Sequence, residues 1–380
     1  MISLCIESMN SNIARVVAVL MVSTAVSSTA QTSAVYGNAL RILTEVFPGQ
    51  VSLIAPLQEE TRQEKLDSEM VFNARFGHFD KVQNLLVAGA RVDAVDRDGN
   101  TALMWAAWNG TKWAVEMLLS KGASVNLASK RATTALMWAA SVSGPFGTGQ
   151  IEIVNLLLDR GAAIDARDIQ GRTALLGACD RQFESSAPLV QLLLKKGASI
   201  EVADLSGNTP LLAAARLGHV DTLKVLLEAG ANTAAVDGKG ATAAMLAAEA
   251  GRITVIKLLA AKGVDFNAKD AAGSTALLRA AKQGQVAVLG SLIDVGADKD
   301  LAGTVAVEDL EPPVVDYTPL MVASRFGRVE AVKALIAKSA RLNYRSNHDA
   351  KTALAIARLF GADSAHQEII KLLLQAGAAE

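Results

Sequence analysis

The chain has little of what catalytic and metal sites are made from. Two cysteines, Cys5 and Cys179, and four histidines are spread through 380 residues. No CxxC pair, no Gly-rich phosphate loop and no histidine at ligand spacing from a cysteine or carboxylate occurs. Catalytic residues, a metal and a cofactor are therefore not expected. Aromatic residues make up 4% of the chain, too few for a core of large rings. Charge of one sign is missing as well, with 37 Lys plus Arg against 38 Asp plus Glu. Nothing in that balance draws the protein to nucleic acid or to an anionic lipid surface.

Long hydrophobic runs are absent too. The apolar run VVAVLMV at 16–22 falls far short of the ~20 residues a helix needs to cross a bilayer, so no stable membrane span is expected. It follows Arg15 and gives way to small polar residues ending at Ser28, Thr29 and Ala30, the order of a secretory signal. Cleavage is expected after Ala30, with Ala34 as the next candidate, and Glu7 in the first residues moves the working start to Met9. The expectation is an exported protein, periplasmic or extracellular, whose mature chain keeps Cys179 alone and forms no internal disulfide. A cytosolic chain with a misassigned start is the competing reading.

What the chain has in abundance is repetition. TALMWAA stands at 101–107 and again at 134–140, a period of 33. Looser copies are TALLGAC (173–179), TPLLAAA (209–215), TAAMLAA (242–248), TALLRAA (275–281), TPLMVAS (318–324) and TALAIAR (352–358). Self-similarity at a fixed period marks a stack of units, each too small to bury its own apolar face. Behind each copy, apolar residues recur at helical spacing and stop three residues before a glycine or its stand-in. Val82, Leu85 and Leu86 precede Gly89, Val115, Leu118 and Leu119 precede Gly122, and Ile370, Leu373 and Leu374 precede Gly377. The pattern predicts nine pairs of short antiparallel helices. Glycine suits the left-handed residue that ends a helix; Ser339 replaces it in the eighth unit, where a less regular end is expected. Asp-x-x-Gly-x-Thr joins units at 96–101, 168–173, 204–209, 237–242 and 270–275. Aspartate bonding its own backbone and glycine at positive φ make a tight turn, and the threonine caps the next helix.

These features resemble an exported, bacterial-type ankyrin-repeat protein over 66–380. The resemblance implies an all-α fold, an ankyrin-repeat solenoid of about nine helix-turn-helix units with β-hairpin fingers, whose concave face is made by fingers and first helices. Units are expected to start near 66, 96, 129, 167, 203, 236, 269, 302 and 345, after a signal peptide (1–30) and a leader (31–65) that docks on the array. Short helices at 38–47 and 57–66 are expected in or beside that leader. The family's histidine after Thr-Pro-Leu is replaced by Met104, Met137, Leu176, Leu212, Met245, Leu278, Met321 and Ala355. Apolar packing is expected to take over from its finger-to-helix hydrogen bond. Threonine spacings of 39, 36 and 43 mark insertions. Those at 141–149 and 181–188 are expected to lengthen links between helices, and that at 302–316, with Glu308, Asp309, Glu311 and Asp316, to enlarge a finger.

His78 and His219 hold equivalent places where the resemblance implies structural bonding, and Cys179 replaces a packed alanine, the place of an inert buried thiol. The distinctive residues are the tryptophans. Trp105, Trp108, Trp113 and Trp138 all fall in two adjacent units. Trp105 and Trp138 share one repeat position and are expected to fill the seam between units, about 10 Å apart, the packing distance of helices. Trp108 lies in a row that elsewhere holds Arg75, Ser141, Asp180, Arg216, Glu249, Lys282, Arg325 and Leu359, a row that the resemblance places on the concave face. A tryptophan in a polar row reads as an interface anchor. Trp113, whose counterparts include Asp80, Glu152, Asp221 and Glu330, is expected to be exposed.

The expected function is a non-enzymatic protein-protein interaction module, a monomeric scaffold that binds a folded protein partner. The expected contact residues are Trp108, Asn109 and Trp113, the finger residues Arg97, Lys130 and Arg131, and also Arg75 and Phe76. The competing reading is a small-ligand or enzymatic site at the Trp-rich repeats, with the 141–149 loop as its lid.

Overall fold

A computed structural model describes residues 55–141, 147–180, 186–306 and 313–379. The signal (1–30) and the leader helix expected at 38–47 lie outside them. Contacts divide the chain between Asp67 and Ser68. Of the first unit, the described residues are the opening turns of α1 (Ala55–Arg75), where Gln63 Nε2 donates to Asp67 Oδ1 at 2.9 Å. Nothing from Leu57 to Arg75 is a glycine or proline, so α1 runs without a break through 65–66, where the sequence set the end of the leader.

The second unit is the array. After α1 come α2 (Phe79–Val87), α3 (Ala102–Trp108), α4 (Lys112–Ser120), α5 (Ala135–Ser141), α6 (Gly147–Asp159), α7 (Ala174–Cys179), α8 (Ala187–Lys195) and α9 (Pro210–Leu217). Then follow α10 (Val220–Glu228), α11 (Ala243–Glu249), α12 (Ile253–Ala260), α13 (Ala276–Gln283), α14 (Val286–Asp294), strands β1 (Gly303–Val305) and β2 (Val314–Tyr317), α15 (Pro319–Arg325), α16 (Val329–Ala337), α17 (Ala353–Leu359) and α18 (Ser364–Gln375). Odd-numbered helices pack on odd and even on even, giving two parallel layers of helices.

Why these segments form helices is visible in α3. Ala and Leu are strong helix formers, and Thr101 Oγ1 accepts from Met104 N at 3.2 Å, satisfying a first-turn donor. The same cap recurs at Thr134, Thr173, Thr209, Thr242, Thr275, Thr318 and Thr352. Five first helices carry a fully buried alanine pair, at 106–107, 139–140, 214–215, 247–248 and 280–281. Small side chains there let neighbouring first helices approach, while Leu118, Leu157, Leu193 and Leu226 fill the space between layers. Each such leucine removed from water contributes roughly 1.5–3 kcal/mol before entropy is counted.

The connecting turns follow their chemistry. Asp96 Oδ1 accepts from Asp98 N and Asn100 N, both at 2.9 Å, and Asp168, Asp204, Asp237 and Asp270 repeat the arrangement. Successive fingers are joined by backbone hydrogen bonds, from Lys130 N to Asp98 O, Leu205 N to Gln170 O, and Gly238 N to Ser206 O. Glycine is required here for two reasons at once. Gly207 has φ +79°, and a Cβ on it would stand 2.5 Å from Gly238 N of the next finger.

Ser339 corrects an expectation. It adopts φ +58° and keeps the bonds of its glycine counterparts, with Ser339 N donating to Ile336 O and Ala340 N to Leu335 O. The helix end is as regular as the others, and the cost is local, because a Cβ in the left-handed region costs roughly 1–2 kcal/mol. Ser339→Gly should therefore raise stability by about 1 kcal/mol in urea unfolding; no gain would mean that the serine pays nothing for its conformation.

The insertions resolve in part. Residues 142–146 and 181–185 lie outside the described residues. Gly147–Gly149 form the first turn of α6, a second helix of 13 residues, rather than link. In the third insertion β1 and β2 pair antiparallel, Gly303 opposite Tyr317 and Val305 opposite Val314, so the finger is enlarged as expected. Glu308, Asp309 and Glu311 lie outside the described residues. Asp316 is a structural acceptor, bonded by Tyr344 Oη at 3.0 Å and Asn347 N at 2.6 Å. Beside it, Tyr317 Oη donates to Asp349 at 2.8 Å. Burial opposes ionisation of Asp349, but hydrogen bonds from Lys351, Tyr317 and Ser346 outweigh it and hold the carboxyl at about 2.

Candidate functional site

Two rows of side chains on the first helices define the finger-side face. The row four residues after the cap reads Phe72, Trp105, Trp138, Gly177, Ala213, Leu246, Arg279, Val322 and Ile356. Three of its side chains reach the fingers. Trp105 Nε1 donates to Asp96 Oδ2 at 3.3 Å, Trp138 Nε1 to Thr133 Oγ1 at 3.0 Å, and Arg279 to Asp270 Oδ2 at 2.7 Å. The finger-to-helix bond that the missing histidine was expected to forfeit is thus made in three units from another position.

The two tryptophans also depart from expectation. They are half-buried, not packed into the seam, and their ring centroids stand 4.7 Å apart at 89°. Helix axes set the spacing of backbones, but the indoles lean together under the fingers into the edge-to-face geometry that aromatic quadrupoles favour.

The row seven residues after the cap adds Arg75 and Trp108. Arg75 Cζ lies 5.4 Å from the Trp105 ring centroid, within cation–π range. Trp108, 44% exposed, contacts Trp138 at 5.5 Å and 69°. Arg75, Trp105, Trp138 and Trp108 therefore form one continuous surface. It stops at Gly177, where Ser141 Oγ occupies the space a side chain would need. Phe72, not expected from the sequence, occupies the same row in the first unit: it is 62% exposed, its ring 4.8 Å from that of Phe76 and tilted to it by 51°. Aligning Ser68 with the capping threonines would have placed Phe72 in the tryptophan row.

The other expected contact residues divide. Arg97, Lys130 and Arg131 are exposed at the finger tips above this surface. Asn109 is committed to structure, its Nδ2 donating to Trp105 O at 2.8 Å and to Ala74 O at 3.4 Å. Trp113 is exposed but stands apart, on the layer of second helices, edge-on to the buried Phe79 at 6.2 Å.

Farther along the array, the charges on this face find partners. Arg216 pairs with Asp180 and Arg279 with Glu249, each at 2.8 Å, while Lys282 and Arg325 lie over the rings of Phe326 and Phe360. A further set of clamps went unseen in the sequence. Arg252, Arg328 and His366 each bond the carbonyl of the row-seven residue one unit back, Arg216, Lys282 and Arg325. Those carbonyls belong to helix ends that lack an intrahelical donor.

No group of three or more His, Cys, Asp or Glu able to hold a metal occurs among the described residues, and none of their helices is long and apolar enough to cross a membrane. Cys179 is fully buried, and burial pushes its thiol up, away from the reactive thiolate.

Four overlapping or successive segments, 70–168, 136–237, 229–302 and 306–379, match the family model for ankyrin repeats. The chain belongs to the ankyrin-repeat family. A search of curated proteins finds no match. Ankyrin repeats are in general protein-protein interaction modules, and the family is typically non-enzymatic. Within this ankyrin-repeat array the aromatic surface sets the first three units apart from the six that follow.

Proposed function

We propose that this ankyrin-repeat array is a non-enzymatic scaffold that binds a protein partner through the concave face of its first three units, as a monomer. The observation that carries the reading is the continuous Arg75–Trp105–Trp138–Trp108 surface, where exposed and half-buried tryptophan replaces the aliphatic, small and charged residues of later units. Tryptophan and arginine are enriched in binding hot spots; tryptophan brings a large area with few rotatable bonds, and arginine a planar fork of donors. The hydrogen bonds of Trp105 and Trp138 to the fingers support it further, since a preformed surface loses little entropy on association. The balanced net charge argues against nucleic acid as the partner, and the signal-like order of residues 1–30 favours a partner outside the cytosol.

The test is affinity purification from cell-envelope and secreted fractions of the native host. The native array should recover a partner, and Trp108→Ala should recover about tenfold less, the weight of a modest hot spot, with its thermal unfolding unchanged. Undiminished recovery would remove Trp108 from the site.

A further inference from the structure

Resting on that interaction reading, the geometry points to a narrower ligand: an acidic, proline-bearing segment of the partner, bound extended in the polyproline II conformation along the first three units. The first ground is the balance of donors and acceptors. Trp105 and Trp138 spend their N–H groups on the fingers, but the Trp108 indole N–H has no hydrogen-bond partner among the described residues. Arg75 lies over a ring and has no carboxylate partner among the described residues. At the finger tips Arg97, Lys130 and Arg131 have no carboxylate partner among the described residues either, in contrast to the paired Arg216 and Arg279. Of the nearby acids, Asp96 is already occupied by Trp105, Asn100 and two backbone amides. Asp98 is the exposed carboxylate at these tips.

The surface thus offers donors and positive charge over apolar rings. Its complement is a chain rich in acceptors and negative charge with few donors of its own. Proline lacks the backbone N–H and keeps the carbonyl, while its ring packs on aromatic faces. Acidic residues between prolines would meet the basic tips. A cationic ligand is disfavoured, because Arg75 already occupies the Trp105 ring.

The second ground is the period. A polyproline II chain presents the same face every three residues, an advance of about 9 Å at ~3.1 Å per residue. Packed helices repeat at about 8–10 Å, so one turn of ligand keeps step with one unit of the array. Such a ligand is already extended before binding and loses little freedom.

The experiment titrates the full chain, by its tryptophan emission, with a synthetic peptide of four Glu-Pro-Pro repeats. Lys-Pro-Pro and Glu-Ser-Gly peptides of equal length serve as controls. A saturable emission change is expected with Glu-Pro-Pro, weakening as salt rises. About tenfold weaker binding, some 1.4 kcal/mol, is expected for both control peptides, for Trp108→Ala and for the triple variant Arg97→Glu, Lys130→Glu, Arg131→Glu. The proposal is overturned by no saturable change with Glu-Pro-Pro, or by equal binding of either control, which would leave only charge or only proline as the determinant. If partner recovery stays sensitive to Trp108 while the peptide fails to bind, the ligand proposal falls and the interaction reading stands, with a folded surface as occupant. If the peptide binds and partner recovery ignores Trp108, the interaction reading is what fails.

Discussion

Gly207→Ala should lower the stability of the array by about 3 kcal/mol, read as a drop in the urea midpoint with an unchanged slope. Two costs combine. The first is the backbone: at φ +79° an L side chain is strained by roughly 1–2 kcal/mol. The second is contact, because the new Cβ would lie 2.5 Å from Gly238 N and 2.9 Å from Asp237 C. Neither neighbour is a pliant side chain; both are backbone of the next finger, whose Gly238 N–H donates to Ser206 O at 2.8 Å. Making room means breaking that bond or moving the finger, and overpacking of this kind typically costs 1–3 kcal/mol. Gly230→Ala separates the two. Gly230 has φ +88° but nothing within 4 Å of a Cβ, so it should lose only about 1 kcal/mol. Equal losses at the two glycines would show that the close approach of the fingers costs nothing.

The next largest effect is expected at Trp138. Its ring touches both Trp105 and Trp108, and its N–H is fixed to Thr133. Truncation to alanine removes the centre of the cluster, and about 3 kcal/mol should be lost, the low end for tryptophan because the ring is half-buried. Trp138→Phe keeps a ring in place and forfeits the N–H bond, a loss of about 1 kcal/mol. Urea unfolding measures both, and near-ultraviolet dichroism reports whether Trp105 and Trp108 keep their ordered environment. A Trp138→Ala variant within 0.5 kcal/mol of the native chain would mean that the cluster is an ornament of the surface and not part of its stability.

The repeating parts of the structure were legible because one local rule serves many times. Thr101 and its counterparts cap, Asp96 and its counterparts turn, and each copy confirms the rest. What the sequence hid lies where neighbouring units meet side chain to side chain. Trp105 and Trp138 have identical surroundings in the sequence, yet their distance depends on how far an indole leans, which helix spacing does not fix. Asn109 looked like a contact residue because it follows Trp108, but its amide closes the end of α3 against Ala74. The clamp position was invisible to motif reading because the bond it makes is constant while the residue varies, as Arg252, Arg328 and His366 show. The exposure of Trp108 was legible from its row, since most of its counterparts along the array are polar and a face cannot change sides within one helix frame.

Among the described residues, the backbone hydrogen bonds between fingers all run one way. Lys130 donates to Asp98, Ile169 to Arg131, Leu205 to Gln170, Gly238 to Ser206, Ala271 to Lys239 and Thr304 to Gly273, later residue to earlier in every case. During synthesis the acceptor of each pair therefore leaves the ribosome before its donor. A newly made finger always meets a carbonyl that is already in position, and the array can be completed one unit at a time behind the advancing chain, each finished edge serving as the template for the next.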